Sequence, residues 1–191
     1  MENSTDTPRQ REQVERWVAL ADMHKFIFDW PDWQLQSSRQ RKAGEASNQT
    51  DQFVLTVLLC DETGVSLEGL ELRIFAWRDR PQEDATALLQ IEDDGWTTIA
   101  RLDCWPNSPH ENKHWKKLSQ APQVCGTHVH LCADNARLGR MAFKPYENLP
   151  SAVATDSEPH SFRDMMRLIE MYFKIDGASK LPPPDWQGRL L

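Results

Sequence analysis

The chain lacks any apolar run approaching the roughly 20 residues that a membrane-spanning helix needs. Met1 to Thr7 carries no apolar h-region of the secretory type. Both absences point to a cytoplasmic protein without a membrane partner. Positive charge is also short: 22 Lys and Arg stand against 29 Asp and Glu, a net charge of −7. That balance excludes a general nucleic-acid or lipid surface, although it permits a local basic pocket. Cysteines number four and contain no Cys-x-x-Cys knuckle, so structural zinc modules of the usual spacing are excluded. In a reducing compartment these cysteines are expected as thiols or metal ligands rather than disulfides. There is no internal repeat. Apolar residues make up only 39% of the chain, so a core forms only if they cluster in a few elements.

What is present falls into a simple order. Thr7, Pro8 and Gln10 make a capping box with proline at the first helical position. Val14, Trp17, Val18, Ala21 and Phe28 follow at helical spacing, predicting a helix over residues 7–29, closed by Pro31. Residues 1–35 are therefore expected as an N-terminal helical arm, and the polar stretch 36–51 as a linker or loop. Residues 52–60 are apolar on both alternating faces, as in a buried strand. Residues 67–77 alternate, with Leu70, Leu72, Ile74 and Ala76 on one face. Two β-like runs, 85–92 and 96–105, flank Asp93-Asp94-Gly95 and predict a hairpin. Strands are also expected at 123–132 and 139–143. Ser161, with Asp164 three residues on, caps a second helix over 161–175. An extended tail, 177–191, is expected to pack back through Leu181 and Trp186. The fold class is α+β: an antiparallel sheet of about five or six strands in domain 52–176, with an N-terminal and a C-terminal helix packed on it.

Chemistry concentrates between residues 101 and 132, which hold four of the six histidines and three of the four cysteines. Arg101 and Asp103 lie two apart on one strand face, and alternation along the expected strand 123–132 puts His128, His130 and Cys132 on one face as well. The loop between them holds His110, Asn112, Lys113, His114, Lys116 and Lys117. Three uses fit these residue types. Histidines titrate near neutrality and can divide the roles of base and acid on a phosphodiester. Arg101 then binds phosphate, Asp103 orients an imidazole or Arg101, and Asn112, Lys113, Lys116 and Lys117 bind substrate. That chemistry needs no cofactor. Alternatively His110, His128, His130 and Cys132 hold a zinc ion. In the third use the cluster is structural, with His110 and Asn112 fastening the loop, and the protein works through tryptophans such as Trp30, Trp33 or Trp186.

The order Arg101-x-Asp103, Pro109-His110-x-Asn112 and His128-x-His130, followed by a helix, resembles an uncharacterised family of bacterial and phage proteins. More loosely it is similar to the toxins of small toxin–antitoxin pairs. The resemblance spans residues 50 to 176. This chain departs from it after Asn112, where Lys113-His114-Trp115 replaces a Pro-Asp-Gly turn. The resemblance implies a mobile-element or defence setting and supplies no reaction; RNA as candidate substrate follows from the histidine chemistry, and a cognate antitoxin or other protein is the expected partner. The expectation is a ribonuclease-like toxin whose catalytic residues are His128, His130, His110, Arg101 and Asp103. The competing expectation is a non-enzymatic inhibitor or binding module.

Overall fold

The computed structural model describes residues 6–38, 50–80 and 82–186. In chain order the elements are α1 (Pro8–Asp22), β1 (Lys25–Ile27), β2 (Gln34–Ser38), β3 (Thr50–Cys60), β4 (Ser66–Trp77), β5 (Ala85–Asp93), β6 (Gly95–Cys104) and β7 (His110–Glu111). Then come α2 (Trp115–Leu118), β8 (Gln123–Val124), β9 (His128–His130), α3 (Cys132–Ala136), a 3-10 turn (Arg140–Ala142), β10 (Val153–Ala154), α4 (Phe162–Phe173), β11 (Ile175–Asp176) and a last 3-10 turn (Ala178–Lys180).

The class is α+β, but the sheet is larger and of different type than expected. Nine strands run in the order β10-β9-β6-β5-β4-β3-β1-β11, with β2 also on β3, and β1 pairs with β11 in parallel. The additional strands are two to five residues long. They take their conformation from pairing with distant partners rather than from a local pattern. β7 and β8 form a separate two-stranded ribbon.

The alternation of β4 does what its sequence implies. Leu70, Leu72, Ile74 and Ala76 are all buried, in one core with Trp17 of α1 and Met165, Ile169 and Phe173 of α4. Ser161 caps α4 by accepting the Asp164 N–H. The Thr7 capping box is formed from both sides.

Several boundaries differ from the sequence expectation. α1 stops at Asp22 rather than near residue 29, and Lys25–Ile27 joins the sheet, so residues 1–35 are not a separate helical arm. Phe28, expected on the buried helix face, is 52% exposed. The expected 36–51 linker begins inside β2, which pairs with β3 from Gln34 to Ser38; residues 39–49 lie outside the described residues. Residues 139–143 form the 3-10 turn rather than a strand. The tail is not wholly extended. Ala178–Lys180 is helical, Leu181 is buried, and the Trp186 indole N–H donates to the Trp77 carbonyl at 3.0 Å.

The early end of α1 has a physical cause in Lys25. Its side chain is fully buried, and its Nζ donates to the carbonyls of Leu20 (3.0 Å), Ala21 (2.9 Å) and Met23 (2.6 Å). These are the carbonyls that a helix C-terminus leaves without partners. A buried ammonium at the negative end of the helix dipole satisfies them and joins α1 to β1. Lys25→Met keeps the bulk and removes the donors. It is expected to lower stability by roughly 2–3 kcal/mol, the scale of hydrogen bonds made by a charged group, read as a lower urea midpoint with unchanged slope.

Candidate functional site

The sheet register builds the site. β6 pairs with β9 so that Arg101 faces His130, Leu102 faces Val129 and Asp103 faces His128. Leu102 and Val129 belong to the core, so Arg101, Asp103, His128 and His130 project from the opposite face. On the other side of β6, Thr86 of β5 lies across from Asp103. The loop carrying β7 folds over this face and adds His110, whose ring centroid lies 5.3 Å from that of His128 and 4.6 Å from that of His130.

Asp103 is the hub. It is 5% exposed and accepts two hydrogen bonds from Arg101, from Nε at 2.6 Å and from Nη2 at 2.8 Å. It takes a third from the Thr86 hydroxyl at 2.7 Å. The Nε2 atoms of His128 and His130 each stand 3.4 Å from Oδ2. At that length neither contact is a well-formed hydrogen bond, and both ring nitrogens of His130 are without a hydrogen-bond partner. Burial alone would raise the Asp103 carboxyl, but His128, His130 and Arg101 together hold it well below the usual carboxylate range.

The three histidines are driven apart. Burial works to lower His128, yet Asp103 and the Gly126 carbonyl outweigh it and raise its pKa above the ordinary 6.5. The Nδ1 of His128 lies 2.9 Å from that carbonyl, which can only accept, so Nδ1 carries a proton. His130 is 1% exposed, and burial lowers its pKa despite Asp103. His110 is lowered to about 4, by burial first and then by the charges of His130 and His128. The cleft therefore sets the Arg101 cation beside the carboxylates of Asp103 and Asp84, with His128 the one histidine shifted toward its protonated form.

These side chains line a cleft of about 170 Å³ together with Asp84, Pro106, Ser108, Pro109 and Asn148. That is roughly six waters' worth at about 30 Å³ each. A second cleft of about 330 Å³ adjoins it through shared His110 and Asn148, and its charged lining is Lys113 and Lys144 with Glu111 and Glu147, the last paired with Lys144 at 3.2 Å.

Not every expected residue takes part. Asn112 does not face either cleft. It is buried, its amide N–H groups donate to the carbonyls of Ala121 (2.8 Å) and Ala152 (2.9 Å), and its Oδ1 accepts the Ala152 N–H (2.8 Å). It fastens the loop, and these backbone bonds engage both ends of its amide. Cys132 begins α3 because β9 ends at His130; its thiol lies in the core, away from the histidines. The ligand set within reach of one ion is thus His110, His128 and His130, whose nitrogens lie within 4.8 Å of one another. Lys116 and Lys117 are exposed on α2 and line neither cleft. The fork of Arg101 is engaged by Asp103, and its Nη1 donates to the Asn148 side chain. Two guanidinium N–H groups remain for a ligand. Thr86 and Asn148 were not foreseen. Thr86 depends on strand register, and Asn148 lies in an irregular segment without a motif. Trp33 and Trp186, partner anchors only in the competing binding-module expectation, pack on Phe162, whereas Trp30 is 54% exposed.

No protein-family model matches the chain, and no curated protein or solved structure is similar to it. Among the described residues, no helix is long and apolar enough to cross a membrane.

Two outcomes follow from this geometry. In histidine-resolved NMR titration, His128 is expected to lose its proton above pH 6.5, and His110 to gain one only near pH 4. Between about 6.5 and 4 the unfolded chain takes up protons that folded His110 and His130 resist, so their contribution to stability falls as pH falls. The contribution of His128 has the opposite sign and is lost as pH rises through its raised pKa. Separately, Asn112→Ala is expected to cost roughly 2–3 kcal/mol by leaving buried backbone groups unpaired, measured by denaturant unfolding.

Proposed function

We propose that this site cleaves RNA by proton transfer, with one histidine as base and another as acid. The observation that carries the reading is the divergence of the histidines around one carboxylate. His128 is shifted toward its protonated form by Asp103 and the Gly126 carbonyl, while His110, 5.3 Å away between ring centroids, is lowered to about 4 by burial and its neighbouring histidines. Titratable groups pushed in opposite directions within one cleft are the arrangement that acid–base catalysis requires.

RNA is the substrate class because it carries its own nucleophile. His110 accepts the proton of a 2′-hydroxyl while O2′ forms a bond to phosphorus. The P–O5′ bond breaks, and His128 delivers a proton to the departing O5′. The products are a 2′,3′-cyclic phosphate and a 5′-hydroxyl. The free guanidinium N–H groups of Arg101 face the phosphate oxygens, where negative charge develops. His130 packs edge-on against both other rings and fixes their separation. The small cleft takes the phosphoryl group, and the adjoining cleft with Lys113 and Lys144 takes a flanking nucleotide. The acidic surface makes binding local, which suits a toxin that meets a structured RNA or one presented by a complex, and is neutralised by a cognate antitoxin.

A second reading, a binding protein acting through surface apolar groups, draws on exposed Phe28 and Leu58, which adjoin through a backbone hydrogen bond, and on Trp30. Purified protein incubated with total cellular RNA and with intact ribosomes separates the two. His110→Ala and His128→Ala are each expected to slow cleavage by roughly 10²–10³-fold, the usual weight of general acid–base catalysis, and Trp30→Ala to leave it unchanged. Cleavage should decline toward acid as His110 is protonated near pH 4, and toward base as His128 loses its proton. A substrate carrying 2′-deoxyribose at the scissile position should resist. Equal cleavage of that substrate, or RNA left intact by the native chain, contradicts the reading.

A further inference from the structure

Buried polar nitrogens without partners are rare in folded proteins, and each one calls for an explanation. Three of them gather here: Nδ1 and Nε2 of His130, which is almost wholly buried, and Nε2 of His110. Among the described residues none makes a hydrogen bond to them, although the Asp103 carboxylate lies 3.4 Å from Nε2 of His130. Together with His128 they surround one point, with ring centroids 4.6 to 5.3 Å apart and ligand atoms within 4.8 Å of one another.

We propose that His110, His128 and His130 form a binding site for one divalent ion of the zinc class, and that the bound ion switches off the proton-transfer chemistry of the same rings. The second half rests on the function proposed above; the first does not. Imidazole nitrogens select zinc-like ions over magnesium or calcium, which want oxygen. Zinc–nitrogen bonds of about 2.0–2.1 Å place tetrahedral ligands roughly 3.3 Å apart, so the rings need to close by at most about 1.5 Å. His110 stands on the separate β7–β8 ribbon rather than on the main sheet, and can supply that closure. His128 is already oriented, since its Nδ1 is tied to the Gly126 carbonyl and its Nε2 is left as the ligand atom. Asp103, 3.4 Å from Nε2 of both strand histidines, supplies negative charge beside the ion. Binding displaces the Nε2 proton of His128 into solvent and engages the lone pairs of all three rings. The loaded site then has neither a free base nor an acid, and its fourth position is open to water or an anion.

The test uses the full chain after chelator treatment. Zinc chloride is titrated by calorimetry, and cobalt chloride by visible absorption. The expected result is one equivalent per chain, with the intense visible bands of four-coordinate cobalt. His110→Ala and His128→Ala should each weaken binding by about a hundredfold or more, and Cys125→Ser, at an exposed thiol outside the three-histidine group, should not. His110→Ala keeps the main sheet intact and carries the test if His128→Ala fails to fold, as judged by metal-free melting. Zinc-loaded protein should stop cleaving RNA and recover with chelator. Absence of stoichiometric binding, or binding unchanged in His110→Ala, overturns the site. Zinc-loaded protein that cleaves as fast as the metal-free form overturns the switch. Stoichiometric binding to a protein that never cleaves RNA leaves the metal site standing and removes the nuclease reading instead.

Discussion

The candidate site depends on a single buried carboxylate. Asp103 is placed among cations and donors from three strands: Arg101 on its own strand, Thr86 on one neighbour and the two strand histidines on the other. An isolated buried carboxylate would be neutralised by protonation. Here Arg101 supplies two parallel hydrogen bonds, and the remaining field falls on the imidazoles. The same charge that anchors Arg101 shifts His128 toward its protonated form. His130 faces the same oxygen but is buried more deeply, and desolvation wins there. Small differences in depth at one carboxylate thus separate histidines of identical chemistry.

Asp103 reaches this position through an irregularity in the hairpin. From the turn at Asp93 and Gly95 the register runs evenly to Gln90 and Thr98, then shifts so that Leu89 faces Ala100. The extra residue is Ile99. Before the bulge the polar face of β6 carries Thr98, hydrogen-bonded to Gln90; after it, that face carries Arg101 and Asp103. Without the bulge Asp103 would lie opposite Ala85 and point into the core. The hairpin itself is legible in the sequence from Asp93-Asp94-Gly95, and so is the common face of Arg101 and Asp103. The bulge is not, because Ile99 and Ala100 carry no turn chemistry. Thr86 was missed for this reason.

The other differences share a cause. Local patterns identified α4, β4 and the start of α1, where capping groups and alternation lie within the element. They failed where the partner is distant. Three residues of β1 have no period of their own and owe their conformation to Cys60 and Ile175. Alternation extended past His130 put Cys132 beside the histidines, whereas the chain turns into α3 at that point. Asn112 sits beside the site in sequence, yet its amide bonds the 121 and 152 backbone. Asn135 does the same for residues 131 and 151, so two asparagines hold neighbouring segments against residues 151–152. The loop that presents His110 is therefore fixed at its base, and the ring itself remains half-exposed between two clefts.

The most direct test is the titration of His128 in Asp103→Asn, followed by NMR. This substitution preserves shape and removes the charge. If Asp103 holds up the pKa of His128, that pKa falls in the variant, as burial is then opposed by the Gly126 carbonyl without the carboxylate. An unchanged pKa in a folded variant would mean that Asp103 does not set the protonation of the cluster, and the division of the histidines into acid and base would lose its physical basis.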